Sequence, residues 1–249
     1  ALAAARCHPS SRATGELMAQ SARGLFRATG KTTNPAAALD AGGAIVKAAQ
    51  LEREQADFYP TPPEPTRALL RAEGDRLADF PHIWEPAAGD GAMMREIEAA
   101  GFKCHGTELH ERGGLGVDSG KDFFSFTEPM HELRAIVTNP PYNQVNYRDG
   151  RGRWITHAMD VLEIEYMALL LSWSWPGASG LGGVWAKWPP ARVYLMRWKI
   201  DFTGAGAPPM LNAWFCWDRA WKGETVLRML DRDQDARQAE MFLRGEDNA

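Results

Sequence analysis

The chain has 249 residues, of which 45% are hydrophobic and 24% are charged, and its formal net charge is −4. These values are typical of a soluble globular protein, and the longest apolar run, residues 166–171, is far too short to span a bilayer. We therefore exclude a membrane protein and expect one main domain of α/β size with an appendage.

The first fifty residues are the most basic part of the chain. They contain six Lys or Arg and two acidic residues, a net charge of +4, so the remainder of the chain carries −8. Two interpretations remain open: a poorly ordered arm, or an arm that contacts phosphates. We predict that residues 1–50 form a basic, partly helical segment and that residues 51–249 form the main domain.

The cysteines and the first residues bear on the cellular compartment. Cys7, Cys104 and Cys216 are odd in number and widely separated, which fits neither a disulfide framework nor a zinc cluster. The opening ALAAARCHPS places its apolar run before the arginine, the reverse of a secretory signal. These features predict free thiols, no metal and a reducing, cytoplasmic setting.

Beyond Asp57 the pattern is typical of a parallel sheet with crossover helices, because short β-rich runs alternate with helical stretches. The first helix follows a proline-rich stretch, with Thr61 as the predicted N-cap and Glu64 completing a capping box. After Pro189 the runs RVYLMRW and NAWFCWD predict an antiparallel hairpin. The other predicted strands are 82–84, 103–107, 135–138 and 166–173, and the predicted helices are 92–100 and 156–163.

The segment IWEPAAGDGAMMREI links the first predicted strand to a helix, the position at which α/β sheets bind ligands. Gly89 and Gly91 allow a tight turn and a close backbone approach to the ligand. A dinucleotide fingerprint would place Gly or Ala where this chain has Met94, so an NAD site is disfavoured. The carboxylate of Glu85 instead indicates a cofactor with an ammonium group.

Two acidic residues follow at later strand ends. Glu108 comes about twenty residues after the glycine loop, where an acid accepts hydrogen bonds from both ribose hydroxyls. Asp122 offers a carboxylate to an adenine amine, and the adjacent Phe123 offers a ring to the adenine face. Each acid alone is also compatible with a solvated surface position. In this order they predict a site for S-adenosylmethionine.

The run IVTNPPYNQ ends a strand with an amide, two prolines and a tyrosine. A planar NH2 group is a poor nucleophile until acceptors on its N–H bonds localise the lone pair and stabilise the developing charge. Asn139 offers a side-chain oxygen and Pro140 a carbonyl, while the prolines restrict the backbone. Tyr142 would face the flat group that carries the amine. Because the chain has no Pro-Cys pair, cytosine carbon-5 methylation is disfavoured.

In these motifs the chain resembles the amino-methyltransferases, in particular the DNA adenine-N6 methyltransferases of phages and prophages. DFYPTPPEP, WEPAAGDGAM, GTELHE, KDFFSF, TNPPYN and the long segment from PPARVYLMRW to WKGET occur in that family's order, across about residues 57–230. The resemblance implies a Rossmann-like class I methyltransferase with a seven-stranded, mostly parallel sheet and an antiparallel last strand. It also implies S-adenosylmethionine as donor, S-adenosylhomocysteine as product, a DNA substrate and no metal.

The resemblance also implies roles for individual residues. Chemistry is assigned to Asn139, Pro140, Pro141 and Tyr142. Contacts to the methyl donor are assigned to Tyr59, Thr61, Glu85, Ala87, Gly89, Gly91, Glu108, Leu109, Asp122, Phe123 and Asn139. Contacts to the target base or nucleic acid are predicted for Tyr142, Phe202, Arg148, Arg151, Arg153, Trp185 and Trp188. For Phe202 a core position is the competing interpretation, and for Trp185 and Trp188 an ordinary surface loop.

Only about fifty residues separate Gly89 from Asn139, so no separate target-recognition domain is inserted there, and we expect short or relaxed sequence specificity. An RNA adenine or a protein glutamine amide is the alternative substrate, since the motif suits any planar amine. A catalytically inactive donor-binding or DNA-binding module is the alternative of another class. The biological role, self-protection of phage DNA or partnership with a restriction enzyme, is left open, as is the oligomeric state. A phage or prophage enzyme would act in the bacterial cytoplasm.

Overall fold

The structure, a computed structural model, describes residues 60–145, 152–178, 180–202, 204, 206 and 210–232. These residues all belong to one compact unit, Ala56–Ala249. The predictions for the basic segment 1–50 and for Tyr59, Arg148 and Arg151 lie outside the described residues. Within those residues, no helix has the length and apolar character needed to cross a membrane. Cys104 and Cys216 are free thiols, as predicted, and Cys7 is not described.

The described residues form one eight-stranded sheet with helices packed on it. The strands are β1 Ile83–Glu85, β2 Cys104–Glu108, β3 Val117–Ser119, β4 Ala135–Thr138, β5 Tyr166–Ser172, β6 Arg192–Met196, β7 Asn212–Asp218 and β8 Val226–Leu230. The helices are α1 Pro63–Leu77, α2 Ala92–Ala99, α3 Tyr142–Val145, α4 Arg153–Thr156 and α5 Gly182–Lys187. A π-helical turn, His157–Val161, continues α4, and 3₁₀ turns cover Phe123–Ser125 and Trp175–Gly177.

The strand order is β3-β2-β1-β4-β5-β7-β6-β8. Only β7 is antiparallel to its neighbours, which confirms the predicted α/β class and the predicted antiparallel pairing of β6 with β7. The order reverses between β1 and β4, because the chain builds outward from β1 in one direction and then from β4 in the other. Such a switch point opens a crevice at the carboxyl ends of the two strands, where α/β proteins bind ligands.

The predicted count of seven strands is wrong, and so is the antiparallel last strand. An eighth strand, β8, pairs in parallel with β6, and the antiparallel strand β7 precedes it. The three central residues of β8 are exposed, so β8 lacks the buried apolar run that identified the other strands. The three-residue β3 was missed because it has no fully buried residue. The predicted run 192–198 ends two residues beyond β6, and the remaining predicted strands are correct within one residue at each end.

Alternating side chains of the sheet form two cores, one on each face. Tyr166, Ala168 and Leu170 of β5 belong to the first-face cluster, together with apolar residues of α1 and α2. Met167, Leu169 and Leu171 belong to the second-face cluster, with residues of α4 and of the π-helical turn. The protein is therefore a three-layer α/β structure, with its sheet buried on both sides.

A buried ionic network ties α1 to β6 and β7. The Arg192 guanidinium donates from Nε and Nη2 to the Glu73 carboxylate at 2.5 and 2.8 Å, and from Nη2 to Asp218 at 2.9 Å. Tyr194 donates its hydroxyl to Glu73, and Arg76 donates to Asp218. Burial by itself raises the pKa of Asp218, but hydrogen bonds from Arg76 and Arg192 outweigh it and hold that pKa below its usual value.

Replacing Arg192 with leucine should strongly destabilise the protein, because it leaves two buried carboxylates without their shared partner. We expect a loss of about 3–5 kcal/mol in the free energy of unfolding, measured by urea denaturation at neutral pH. The matched control is Arg67→Leu, which removes the partner of Glu96 at a half-exposed site. That variant should lose less than about 1 kcal/mol. Equal losses would contradict a structural role for the network.

Candidate active site

The loop between β1 and α2 folds tightly at the switch point. Its two glycines have left-handed backbone angles, with φ of 58° at Gly89 and 78° at Gly91, which residues with side chains rarely adopt. Gly91 donates its N–H to the carbonyl of Ala88 at 2.8 Å, and Ala88 donates to Thr107 of β2 at 3.0 Å. The tight turn that the two glycines predicted is therefore present, and it holds the loop against the end of β2.

Helix α2 approaches β2 closely because of Gly106. A Cβ atom at Gly106 would lie 2.0 Å from Met94 Sδ and 3.1 Å from Ala88 Cβ. A dinucleotide fingerprint uses a small residue on the helix for this close packing. Here the small residue is on the strand, so Met94 fills the space between the two elements.

Glu85 ends β1 with a carboxylate that is only partly satisfied. The residue is 3% exposed, and its Oε2 has no hydrogen-bond partner among the described residues. Burial raises the pKa of Glu85 well above its usual value, because it outweighs a backbone hydrogen bond from Met94, which lowers that pKa, and the charges of Asp90 and Glu108 raise it further. Because an unpaired buried carboxylate is costly, this atom indicates a ligand that brings a positive charge or a hydrogen-bond donor.

Glu108 holds the glycine loop on the sheet. Its carboxylate accepts the N–H of Gly89 at 2.9 Å through one oxygen and the N–H of His110 at 3.1 Å through the other. Each carboxylate oxygen has a second lone pair, so both can still accept a ligand hydroxyl. The next residue, Leu109, is exposed and presents apolar surface beside this carboxylate.

Asp122 and Phe123 differ in exposure: Asp122 is exposed, whereas Phe123 is buried in the core. Asp122 caps a 3₁₀ turn by accepting the N–H of Phe124 at 2.9 Å. Phe123 is 3% exposed and stacks on Trp154 with centroids 4.1 Å apart and planes 17° apart. The prediction that the Phe123 ring face is open to adenine is therefore wrong, because core packing occupies this ring. Arg153 lies 3.7 Å from the centroid of the partly exposed Phe124.

The Asn139 side chain is oriented by Thr61, 78 residues earlier. Asn139 Nδ2 donates to the Thr61 hydroxyl at 3.1 Å, and Oδ1 is buried without a partner among the described residues. The predicted capping role of Thr61 is wrong, because helix α1 starts at Pro63 and its N-cap is Pro62, with no side-chain cap. The sequence contains no local signal for this contact, since it joins two distant segments.

Tyr142 is held by a residue that the sequence did not single out. Asn212, buried at the start of β7, donates from Nδ2 to the Tyr142 hydroxyl at 3.4 Å. Burial raises the pKa of Tyr142 to about 12. A polar residue at the head of an otherwise apolar strand was the available signal for Asn212. Pro140 is buried, and Pro141 precedes the short helix α3.

The residues predicted to contact nucleic acid mostly pack within the protein. Trp185 and Trp188 are partly buried against the second-face cluster, and Trp188 Nε1 donates to Asp160 at 3.2 Å. Phe202 packs against the first-face cluster, whereas Tyr142 packs against the second. The described contacts thus favour the core interpretation of Phe202. Ala87 lies partly buried in the glycine loop.

No protein-family model and no curated protein matches the chain. In structure it is similar to the methyltransferase subunit of a type I restriction-modification system from Streptococcus thermophilus (14% identity, 70% of this chain and 47% of that chain covered, TM-score 0.49). It is also similar to a protein described as a class I S-adenosylmethionine-dependent methyltransferase from Listeria monocytogenes (12% identity, 66% of this chain and 62% of that chain covered, TM-score 0.45). A third similar structure is described as a modification subunit of a type I restriction enzyme from Vibrio vulnificus (12% identity, 88% of this chain and 51% of that chain covered, TM-score 0.45). The chain covers between 47% and 62% of the length of these proteins, and likeness at this level identifies no ligand.

Replacing Glu85 with glutamine should remove a pH dependence from the stability of the ligand-free protein. Because the pKa of Glu85 is raised on folding, this residue stabilises the folded protein fully below the ordinary glutamate pKa, and that stabilisation is lost as pH rises through the higher folded value. The melting temperature of Glu85→Gln should therefore increase relative to that of the wild type as pH increases from about 4 to 8. Glu98→Gln, at an exposed site on α2, is the control and should show no such trend. A constant difference between Glu85→Gln and wild type across this range would contradict the assignment.

Proposed function

We propose that this protein transfers a methyl group from S-adenosylmethionine to the exocyclic N6 amine of adenine in DNA. The observation that carries this proposal is the Asn139 amide, whose Nδ2 is held by Thr61 while its buried Oδ1 has no partner among the described residues. An oriented acceptor that is already desolvated is what a planar amine requires in order to become nucleophilic. Asn139 directly follows β4, and β4 pairs with β1, the strand that carries Glu85.

The residues at the carboxyl ends of β1 and β2 fit the methyl donor. The unpaired oxygen of Glu85 suits the ammonium of the methionine moiety, and Glu108 suits the ribose hydroxyls. Asp122 suits the adenine amine, with the exposed Leu109 as an apolar contact for the adenine ring. When bound, S-adenosylmethionine supplies an electrophilic methyl group on a positively charged sulfur.

Asn139 Oδ1 and the Pro140 carbonyl would each accept a hydrogen bond from one N–H of the target amine, which would localise the nitrogen lone pair and stabilise the positive charge that develops on the nitrogen. The amine would release one proton to solvent once it had received the methyl group from the bound donor. Tyr142 packs against the flat ring, held in place by Asn212. Its phenol stays protonated near neutral pH because its pKa is about 12, so it acts as a ring surface and not as a base.

A planar amine on an RNA adenine or a protein glutamine fits the same two acceptors, and a single experiment separates these substrates. Unmethylated DNA, RNA of matched sequence and a protein extract are incubated with the enzyme and a methyl-labelled donor, then digested and analysed by mass spectrometry. We expect label in N6-methyladenine from DNA. Sequencing the modified DNA should show a short or relaxed context, because no inserted recognition domain separates Gly89 from Asn139. Label only in RNA or in glutamine, or none at all, would overturn the proposal.

Removing the Asn139 side chain should abolish most of the turnover and leave donor binding nearly unchanged. Losing one positioned polar contact at a reacting centre lowers kcat by about 100-fold, so the kcat of Asn139→Ala should be lower than that of the wild type by at least that factor. Donor affinity, measured by calorimetry, should stay close to that of the wild type.

The matched variant is Thr61→Val, which keeps the side-chain shape but removes the hydroxyl that orients Asn139. A neutral hydrogen bond is worth about 1 kcal/mol. Thr61→Val should therefore lose about tenfold or less in kcat, with an unchanged melting temperature. Near-normal turnover of Asn139→Ala would show that the amide is not in the reacting centre.

A further inference from the structure

We propose that Trp173 is a base-stacking residue at the mouth of the candidate active site and contacts a nucleobase of the DNA substrate. This inference rests on the proposed function and adds a substrate contact to it. All ten tryptophans lie in the described residues, and only Trp173 and Trp221 are exposed, by 38% and 37%. Trp173 was not among the residues that the sequence predicted to contact nucleic acid.

Trp173 lies at the correct edge of the sheet. It directly follows β5, which is parallel to β4, so its position is at the same edge as Asn139. Its N–H donates to the carbonyl of Leu211 at 2.9 Å. The preceding residue pair, Ser172 and Asn212, is the last of the β5–β7 ladder, and Asn212 is the residue that holds Tyr142. Trp173 therefore stands one residue beyond the contact that positions the predicted base-facing tyrosine.

The Trp173 indole makes no specific polar or aromatic contact within the part of the chain that the structure describes. No ring contact, cation–π contact or side-chain hydrogen bond involves it there. Leu211, whose carbonyl accepts the Trp173 N–H, and the adjacent Met210 are also exposed, so this end of the β5–β7 pair carries three exposed large apolar residues. A cluster of exposed apolar side chains beside a pocket marks a surface that a ligand covers. Trp221 differs, because its Nε1 donates to Glu224 and Arg192 lies 5.4 Å from its ring.

Basic side chains at the same edge favour a nucleic acid over an apolar peptide as the occupant. Arg197 and Lys199 follow β6, which runs parallel to β5. Strand β7 lies between β5 and β6, so the ends of these two strands are about two strand spacings apart, or roughly 10 Å. Arg232 follows β8 at this edge. Asp231 accepts from Arg197, so the edge is mixed in charge. Aromatic stacking beside cations is the usual way in which proteins hold unpaired bases and their backbone.

The other aromatic candidates are already engaged. Trp188 donates to Asp160 and accepts from Trp217 through its carbonyl at 2.7 Å. Trp185 lies 6.1 Å from Trp175, and Phe202 packs against the first-face cluster. An adenine that leaves a duplex loses its stacking, and aromatic surface on the protein offsets that loss. Among the described residues, Trp173 is the exposed aromatic ring at the sheet edge that carries Asn139, so it can provide such surface.

The test compares Trp173→Ala with Trp173→Phe and with the control Trp221→Ala, which removes an equally exposed tryptophan at the opposite edge of the sheet. Affinity for an oligonucleotide is measured by fluorescence anisotropy at fixed salt with S-adenosylhomocysteine present, together with KM for DNA, kcat, donor affinity and melting temperature. Trp173→Ala should weaken DNA binding and raise KM for DNA by about tenfold or more, because base stacking on an aromatic ring contributes at that level. Trp173→Phe should recover most of the loss. Trp221→Ala should match the wild type, and donor affinity should not change in any variant.

The possible results separate this inference from the proposed function. If the wild type modifies no DNA, the proposed function fails first. If the wild type methylates DNA and Trp173→Ala behaves as Trp221→Ala does, the function stands and the stacking role is wrong. A fall in melting temperature or donor affinity in Trp173→Ala would assign the residue to the structure, and a change in its oligomeric state by light scattering would assign the surface to contacts between copies of the chain. Either result would also overturn the inference.

Discussion

The parallel pairing of β1 with β4 is the constraint on which the candidate site depends. Ile83 pairs with Ala135 and Trp84 with Ile136, so Glu85 is level with Val137, and Asn139 lies two residues beyond that level. The end of β1 and the segment that follows β4 therefore meet at one edge, although they are about fifty residues apart in the chain. The strand order reverses at this pair, which is where α/β sheets form their ligand-binding crevice.

Two groups of buried polar atoms differ in how they are satisfied. On the first face, Glu73, Arg192 and Tyr194 satisfy one another and bind α1 to the sheet, a structural use of burial. At the carboxyl edge, Glu85 Oε2 and Asn139 Oδ1 are buried without a partner among the described residues. Thr66 Oγ1 on α1 and Trp154 Nε1 on α4 are also buried without a partner there, so the position at a strand end is what distinguishes the first two atoms. A ligand that binds at this edge could complete their hydrogen bonds.

Local sequence patterns predicted much of the fold and of the strand ends that form the candidate site. The apolar run 135–138, bounded by Asn-Pro-Pro, was predicted with its observed ends, since a proline turn ends a strand abruptly. The glycine loop and Glu108 were also located correctly, because a βα turn and its following strand are short-range features. Strand β8 was missed because its central residues are exposed at the sheet edge and show no apolar pattern.

By itself, the sequence determined which residue types stand at each strand end and the chemistry available to them. Only the tertiary structure decided what each side chain contacts. It directed Thr61 to Asn139 instead of to a helix N-terminus, and it stacked Phe123 on Trp154 in the core. It also left Trp173 exposed at the end of β5. The physical reason is that patterns of hydrophobicity and turn residues act over a few neighbours, whereas side-chain orientation and burial depend on contacts between segments that only folding brings together.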